Sequence, residues 1–196
     1  MTLGNEDLGL RPQTNEISMI NYFDLYELPV KFHPDNDLVK KKFYELSKKY
    51  HPDFHASESE EKQQEILELS TLNNKAYQVL SNPLKRIEYV LALNYMMTEG
   101  EKYKLPQDFL MDMMEVNEEI MEQELHPNAT ALLTIQGHVD TIEGKLFDEL
   151  KQYTDAYDNE PEQQHDDTLL KIKDIWYRQK YLLRIRESLS KFASRI

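Results

Sequence analysis

From residue 20 onward, apolar side chains recur at steps of three and four, the spacing of one face of an α-helix, and strand-like alternation is absent. The stretch Asn21–Leu28 (NYFDLYEL) predicts a short amphipathic helix stopped by Pro29. Val39, Phe43, Leu46 and Tyr50 form one continuous face of a second helix, and lysines 40, 41, 42, 48 and 49 fall largely off that stripe. A third helix carries Ile66, Leu69, Asn73, Ala76 and Leu80, announced by Ser57 with Glu60 at capping-box spacing. Asn82-Pro83 predicts the start of a fourth, with proline at the first helical position and Leu84, Ile87, Leu91 and Tyr95 on the buried side.

The pattern then breaks. Thr98–Leu105 (TEGEKYKL) is polar, contains Gly100 and leads into Pro106, so it reads as a linker between two domains, 19–97 and 106–196. Three further stripes follow. Phe109, Met113, Val116 and Ile120 form the first; Leu132, Ile135, Val139, Ile142, Leu146 and Tyr153 the second, started by Pro127. Leu169, Ile172, Trp176, Leu182, Ile185 and Leu189 form the third, beyond the polar break Asp158–Asp167. Three antiparallel helices with short connections close a small bundle. Residues 1–18 show no apolar period and read as a flexible tail. The fold class expected is all-α, in two domains.

Composition narrows the function classes. The 196 residues contain no cysteine, which excludes disulfides, thiolate metal sites and cysteine nucleophiles, and fits a reducing compartment. No apolar run is long enough to span a bilayer, and the acidic amino terminus lacks the features of a signal peptide. A formal charge of −13 disfavours general nucleic-acid binding. Against that background Asn36–Tyr50 holds five lysines and two acids, a local +3 that suggests one acidic partner.

Two copies of the tripeptide His-Pro-Asp occur. In His33-Pro34-Asp35 the aspartate precedes the lysine helix and reads as its N-cap. His51-Pro52-Asp53 instead follows that helix and precedes the next, where proline ends the α conformation and stiffens an exposed corner. His51, Asp53 and His55 lack a further convergent ligand for a metal, and His126 and His138 are isolated. There is no phosphate-binding glycine loop and no Ser/His/Asp motif in a recognisable context. Trp176 reads as a core anchor. Met111, Met113 and Met114 cannot share one direction on a helix, so at least one reaches the surface.

The order helix, His-Pro-Asp, helix resembles the J domain of DnaJ-type co-chaperones. The phrases Tyr22-Phe23-Asp24-Leu25-Tyr26-Glu27-Leu28-Pro29, Tyr50-His51-Pro52-Asp53, Leu72-Asn73-Asn74, Ala76-Tyr77, Asn82-Pro83-Leu84 and Arg86-Ile87-Glu88-Tyr89 resemble the HscB (Hsc20) family more narrowly. These are the J-type co-chaperones of iron–sulfur cluster biogenesis. Asp108-Phe109-Leu110-Met111 with Glu115, Glu118 and Glu119 is similar to that family's first C-terminal helix. The resemblance implies a bacterial, cytoplasmic co-chaperone with no active site and no cofactor. It implies two partners, a DnaK/HscA-type ATPase chaperone and an IscU-type scaffold protein, with no nucleic-acid or membrane partner.

Residue by residue, His51, Pro52 and Asp53 match the element that stimulates the chaperone ATPase. Lys40, Lys41, Lys42, Lys48 and Lys49 lie on the helix that meets its acidic surface. Leu110, Met111, Met114 and Tyr181 fall where the family presents an apolar patch to the scaffold, with Glu115, Glu118 and Glu122 beside it. Two departures are visible: Phe54 stands where many J domains carry lysine, and the paired CxxC motifs of eukaryotic members are missing. The rival readings are a general J protein for unfolded clients, which would bring a Gly/Phe-rich linker or zinc region, and a nucleic-acid adaptor using the lysine helix.

Overall fold

The computed structural model describes residues 20–98, 100–159 and 165–193, so the expected tail at 1–18 lies outside the described residues. Seven α-helices and one 3-10 turn are described: α1 (Tyr22–Leu25), α2 (Asn36–Lys49), the turn (Pro52–His55), α3 (Glu60–Leu80), α4 (Pro83–Leu93), α5 (Gln107–Leu125), α6 (Ala129–Asn159) and α7 (His165–Ala193). No strand occurs among the described residues, and the all-α class holds.

Packing divides the chain into two units. Among the described residues, one comprises 20–30 together with Pro34–Asn82; the other comprises Lys31–His33 together with the described residues from Pro83 onward. The division falls at Asn82/Pro83, ahead of the polar stretch 98–105. Within the second unit that stretch is fastened down: Lys173 Nζ donates to Glu101 at 2.7 Å, and the Tyr103 ring stacks on Tyr177 at 4.3 Å.

In the first unit α1 and α2 pack on α3. Phe23, Tyr26, Val39, Ile66, Leu72, Ala76 and Leu80 supply its buried apolar side chains, and Phe43 stacks on Tyr77 at 4.2 Å. Asn73 is the polar exception, 1% exposed. Its Nδ2 donates to Phe43 O at 3.1 Å and Ser47 Oγ at 3.0 Å, and its Oδ1 accepts from Tyr26 OH at 2.9 Å. One amide therefore ties α3 to α2 and to the residue closing α1, and no buried polar atom of that amide is left orphaned.

Helix ends follow local chemistry. Asp35 does cap α2, its Oδ1 accepting from Asp37 N at 2.8 Å and Leu38 N at 3.2 Å. The start of α3 differs from the expectation: Ser59, not Ser57, is its N-cap, with Oγ accepting from Lys62 N at 3.3 Å. Backbone turns after the 3-10 element, such as Glu58 N to His55 O at 3.1 Å, occupy the residues around Ser57. The first helix is shorter than Asn21–Leu28 because Glu27 adopts φ 54°. Leu28 N donates to Phe23 O and Glu27 N to Asp24 O, a Schellman closure built on a non-glycine residue.

The same closure ends α4. Tyr95 takes φ 58°, Met96 N donates to Leu91 O, and Tyr95 N donates to Ala92 O. Tyr95 is consequently 94% exposed rather than on the buried side, and Leu84 in the first turn of α4 is 46% exposed. Val90 and Arg86 join Ile87 and Leu91 on the inner face instead.

In the second unit α6 and α7 form the main pair, α5 packs on both, and α4 packs on α7. All four apolar residues expected on α5 and all six on α7 are buried; on α6 the stripe runs past Tyr153, which is half-buried, to Leu150, Thr154 and Tyr157. Trp176 is a core residue at 3% exposure. Asn128 caps α6, its Oδ1 accepting from Thr130 N at 2.9 Å. Lys31–His33 is held by hydrogen bonds. Asp158 accepts from Phe32 N and His33 N, both at 2.8 Å; Arg86 Nε donates to Phe32 O at 2.8 Å; His33 Nε2 lies 2.8 Å from Thr154 Oγ1. The Phe32 ring meets Tyr157 edge-on at 4.9 Å.

Candidate functional site

Two surfaces carry the residues singled out by sequence, one on each unit. On the first unit, α2 stops at Tyr50, and His51 turns to an extended conformation (φ −76°, ψ 124°), as a residue before proline must. Pro52 then opens the 3-10 turn. Three contacts stiffen the corner. His51 Nδ1 accepts from Asp53 N at 3.3 Å, Phe54 N donates to His51 O at 3.0 Å, and His55 Nε2 donates to Lys49 O at 2.9 Å. The last of these satisfies a carbonyl in the final turn of α2.

The side chains nonetheless point outward. The His51 imidazole is 51% exposed and the Asp53 carboxylate 85%, with His51 Nδ1 3.7 Å from Asp53 Oδ2. Because Nδ1 is committed as an acceptor, the neutral ring carries its proton on the exposed Nε2. The corner thus offers one N–H donor and one carboxylate acceptor side by side on a backbone with little freedom. Phe54, beside them, is 67% exposed.

The lysines of α2 divide into two kinds. Lys40, Lys41, Lys48 and Lys49 are exposed. Lys41 reaches Glu45 only at 4.0 Å, and Lys49 Nζ lies 5.1 Å from the centre of the Tyr50 ring. Lys42 is different. Its ammonium is paired with Glu27, which holds the Glu27 carboxyl below and the Lys42 ammonium above their ordinary ranges. Four cations therefore face solvent, while the fifth is engaged with Glu27 just beyond α1.

On the second unit, α5 buries Phe109, Met113, Val116, Ile120 and Gln123 and turns its opposite face to solvent. Met111 and Met114 are 58% and 61% exposed, and Leu110 is half-buried. Glu115, Glu118 and Glu122 are exposed along the neighbouring edge of that face. Tyr181, on α7, is half-buried and meets Phe109 edge-on at 6.0 Å. Two residues of this face escaped the sequence reading: Met121 at 64% and Leu125 at 76% exposure. They continue Met111 and Met114 at helical steps, so the signal was present in the spacing. The result is a strip of flexible apolar side chains bordered by carboxylates, the composition of an adaptable docking surface.

Among the described residues no group of three or more His, Cys, Asp or Glu could hold a metal ion. His138 lies 3.9 Å from Glu119 on a partly covered surface. No described helix is long and apolar enough to cross a membrane.

Comparison with known proteins supplies the context. Residues 21–89 match the family described as DnaJ domain, and residues 105–190 match that described as HSCB C-terminal oligomerisation domain. A co-chaperone protein HscB homolog of Vibrio vulnificus (strain CMCP6) is 35% identical over 139 residues, covering 66% of this chain and 81% of that protein. The homolog of Vibrio parahaemolyticus is 40% identical over 102 residues, 52% of this chain and 60% of its own length. Among solved structures, chaperone HscB from Vibrio cholerae superposes with a TM-score of 0.68 at 26% identity, covering 89% of this chain and 99% of that one. Human co-chaperone HscB shares the fold at a TM-score of 0.71 and 24% identity, with 100% and 95% covered.

Proposed function

The chain belongs to the HscB family of J-domain co-chaperones, and from that premise we propose that it couples two partners in iron–sulfur cluster assembly, an IscU-type scaffold protein and a DnaK/HscA-type ATPase chaperone. The observation that carries this reading is the outward-facing pair His51 and Asp53 on a stiff corner directly after the lysine helix. An exposed carboxylate fixed in direction suits a bidentate, charge-assisted contact with an arginine of the chaperone. Lys40, Lys41, Lys48 and Lys49 speed encounter with an acidic surface and set its orientation. The protein alters the rate of its partner's ATP hydrolysis and catalyses nothing itself. We assign 19–97 to the chaperone-facing part and 106–196 to the scaffold-facing part, with 98–105 joining them in sequence, while α4 at the end of the first part packs with the helices of the second.

On the scaffold side, Leu110, Met111, Met114 and Tyr181 bury against apolar residues of the partner, and Glu115, Glu118 and Glu122 fix its register by charge. Met121 and Leu125 lengthen that contact. The protein works in the bacterial cytoplasm on this reading, without cofactor, membrane or nucleic acid.

Single-turnover ATPase measurements on the chaperone, paired with calorimetric titration of the scaffold, test the proposal. His51→Gln is expected to abolish stimulation and leave scaffold affinity unchanged; Met111→Glu with Met114→Glu is expected to do the reverse. Parallel loss of both activities in either variant contradicts the assignment, as does binding of denatured clients in preference to the scaffold.

A further inference from the structure

On the second unit an open groove of about 620 Å³ runs between α4, α6 and α7, and no residue of α5 lines it. Much of its lining is apolar. Leu84, Phe147 and Leu183 line it while remaining 46%, 59% and 48% exposed, with Ile87, Leu150 and Leu182 beneath them. Three large apolar side chains converging on one concavity form a patch of the kind soluble proteins keep for partners.

Charge selects among possible occupants. Among the described residues Arg186 is the one cation lining the groove, and its guanidinium pairs with both Asp140 and Glu143. Asp148 lines it as well and has no ion-pair partner among the described residues. Three carboxylates against one guanidinium leave a net negative rim, which repels phosphate backbones and anionic membrane surfaces. Gln179 also lines the groove, and its Oε1 is buried without a donor, so a rotation of that amide toward an incoming N–H gains a hydrogen bond.

We propose that this groove receives a basic amphipathic helix of a partner protein, its leucine-type side chains seated among Leu84, Phe147 and Leu183 and its lysines or arginines on Asp140, Glu143 and Asp148. Helix-in-groove docking needs these two elements, an apolar trough and rim charges of opposite sign to the ligand. No residue lining the site belongs to the α5 strip or to the His51 corner.

The test uses the full-length chain and two fluorescein-labelled synthetic helices of equal length, one of alternating Leu and Lys pairs, the other of Leu and Glu pairs. Anisotropy is read at an ionic strength of about 0.15 M. The Leu/Lys helix is expected to bind at least about tenfold more tightly than the Leu/Glu helix. Phe147→Glu with Leu183→Glu is expected to weaken it about tenfold or more, about 1.4 kcal/mol, and leave chaperone stimulation unchanged. Phe147→Ala with Leu183→Ala, checked for an unaltered helical circular dichroism spectrum, is expected to weaken it in the same direction. Binding that survives both groove variants, binding lost instead in Met111→Glu with Met114→Glu, or equal affinity for the two helices overturns the proposal. So does a dimer in sedimentation that dissolves on Phe147→Glu, which would seat a second copy there.

Discussion

Replacing Asn73 by alanine tests the architecture that holds the His51 corner. The substitution removes three hydrogen bonds: the amide donors to Phe43 O and Ser47 Oγ, and the acceptor for Tyr26 OH. Each is worth about 1 kcal/mol net. The groups left behind are not wholly stranded, since Tyr26 OH also donates to Asn73 O at 3.2 Å, a backbone atom that remains. Alanine regains roughly 0.6 kcal/mol through its better helix propensity. The expected net loss is about 2 kcal/mol, or roughly thirtyfold in local opening at 1.4 kcal/mol per tenfold. Amide hydrogen exchange read by mass spectrometry resolves this by segment. Fragments from α2 and α3 should exchange about thirtyfold faster, while those from α7 hold their rate. Acceleration below about threefold in α2 and α3 would refute the role given to the amide. Equal acceleration throughout α7 would refute the assignment of these bonds to the first unit alone.

Further expectations concern charge, strain and titration. Neutralising Lys40, Lys41, Lys48 and Lys49 together to glutamine should slow association with the chaperone and flatten its salt dependence, measured by stopped-flow; Lys42→Gln should have a smaller kinetic effect, because its ammonium is already paired with Glu27. Tyr95→Gly should raise stability by about 0.5–1 kcal/mol in urea unfolding, since it relieves a left-handed backbone at a side chain that is 94% exposed and packs against little. A loss of stability there would mean the Tyr95 ring makes contacts that matter. Burial, then its hydrogen bond to Asp174, pushes the Tyr103 hydroxyl up from 10.0 to about 12. A folded value above the unfolded one means the contribution is intact below pH 10 and is lost as pH rises toward about 12. Ultraviolet difference titration should lose one late-titrating tyrosine in Tyr103→Phe.

Much of this arrangement was legible in the chain. Periodicity located every helix from α2 to α7, because the apolar residues of each repeat at three and four, even though α2 fully buries only Val39 of its stripe and α4 leaves Leu84 exposed. The two His-Pro-Asp sequences were told apart by which side of the lysine helix they occupy, and Asp35 is indeed a cap. Periodicity failed where a helix stops without glycine or proline. Glu27 and Tyr95 both close helices in the left-handed region, and nothing in a lone Glu or Tyr signals that role. Ser57 with Glu60 reads from sequence as the start of α3, but the backbone turns that follow the 3-10 element move the cap to Ser59. On α5 the exposed face was readable in Met111 and Met114 but was cut short of Met121 and Leu125. The groove over Leu84, Phe147 and Leu183 was invisible, since it needs side chains from three helices far apart in sequence.

Because Lys31–His33 packs with the helices that begin at Pro83, the second unit is discontinuous along the gene. A crossover between codons 82 and 83 would hand a recipient α4 to α7 with an empty slot against Tyr157 and a carboxylate at Asp158 stripped of two amide donors. Single-breakpoint shuffling is therefore a poor route to trading either half of this protein, and its two surfaces are bound to be inherited as one.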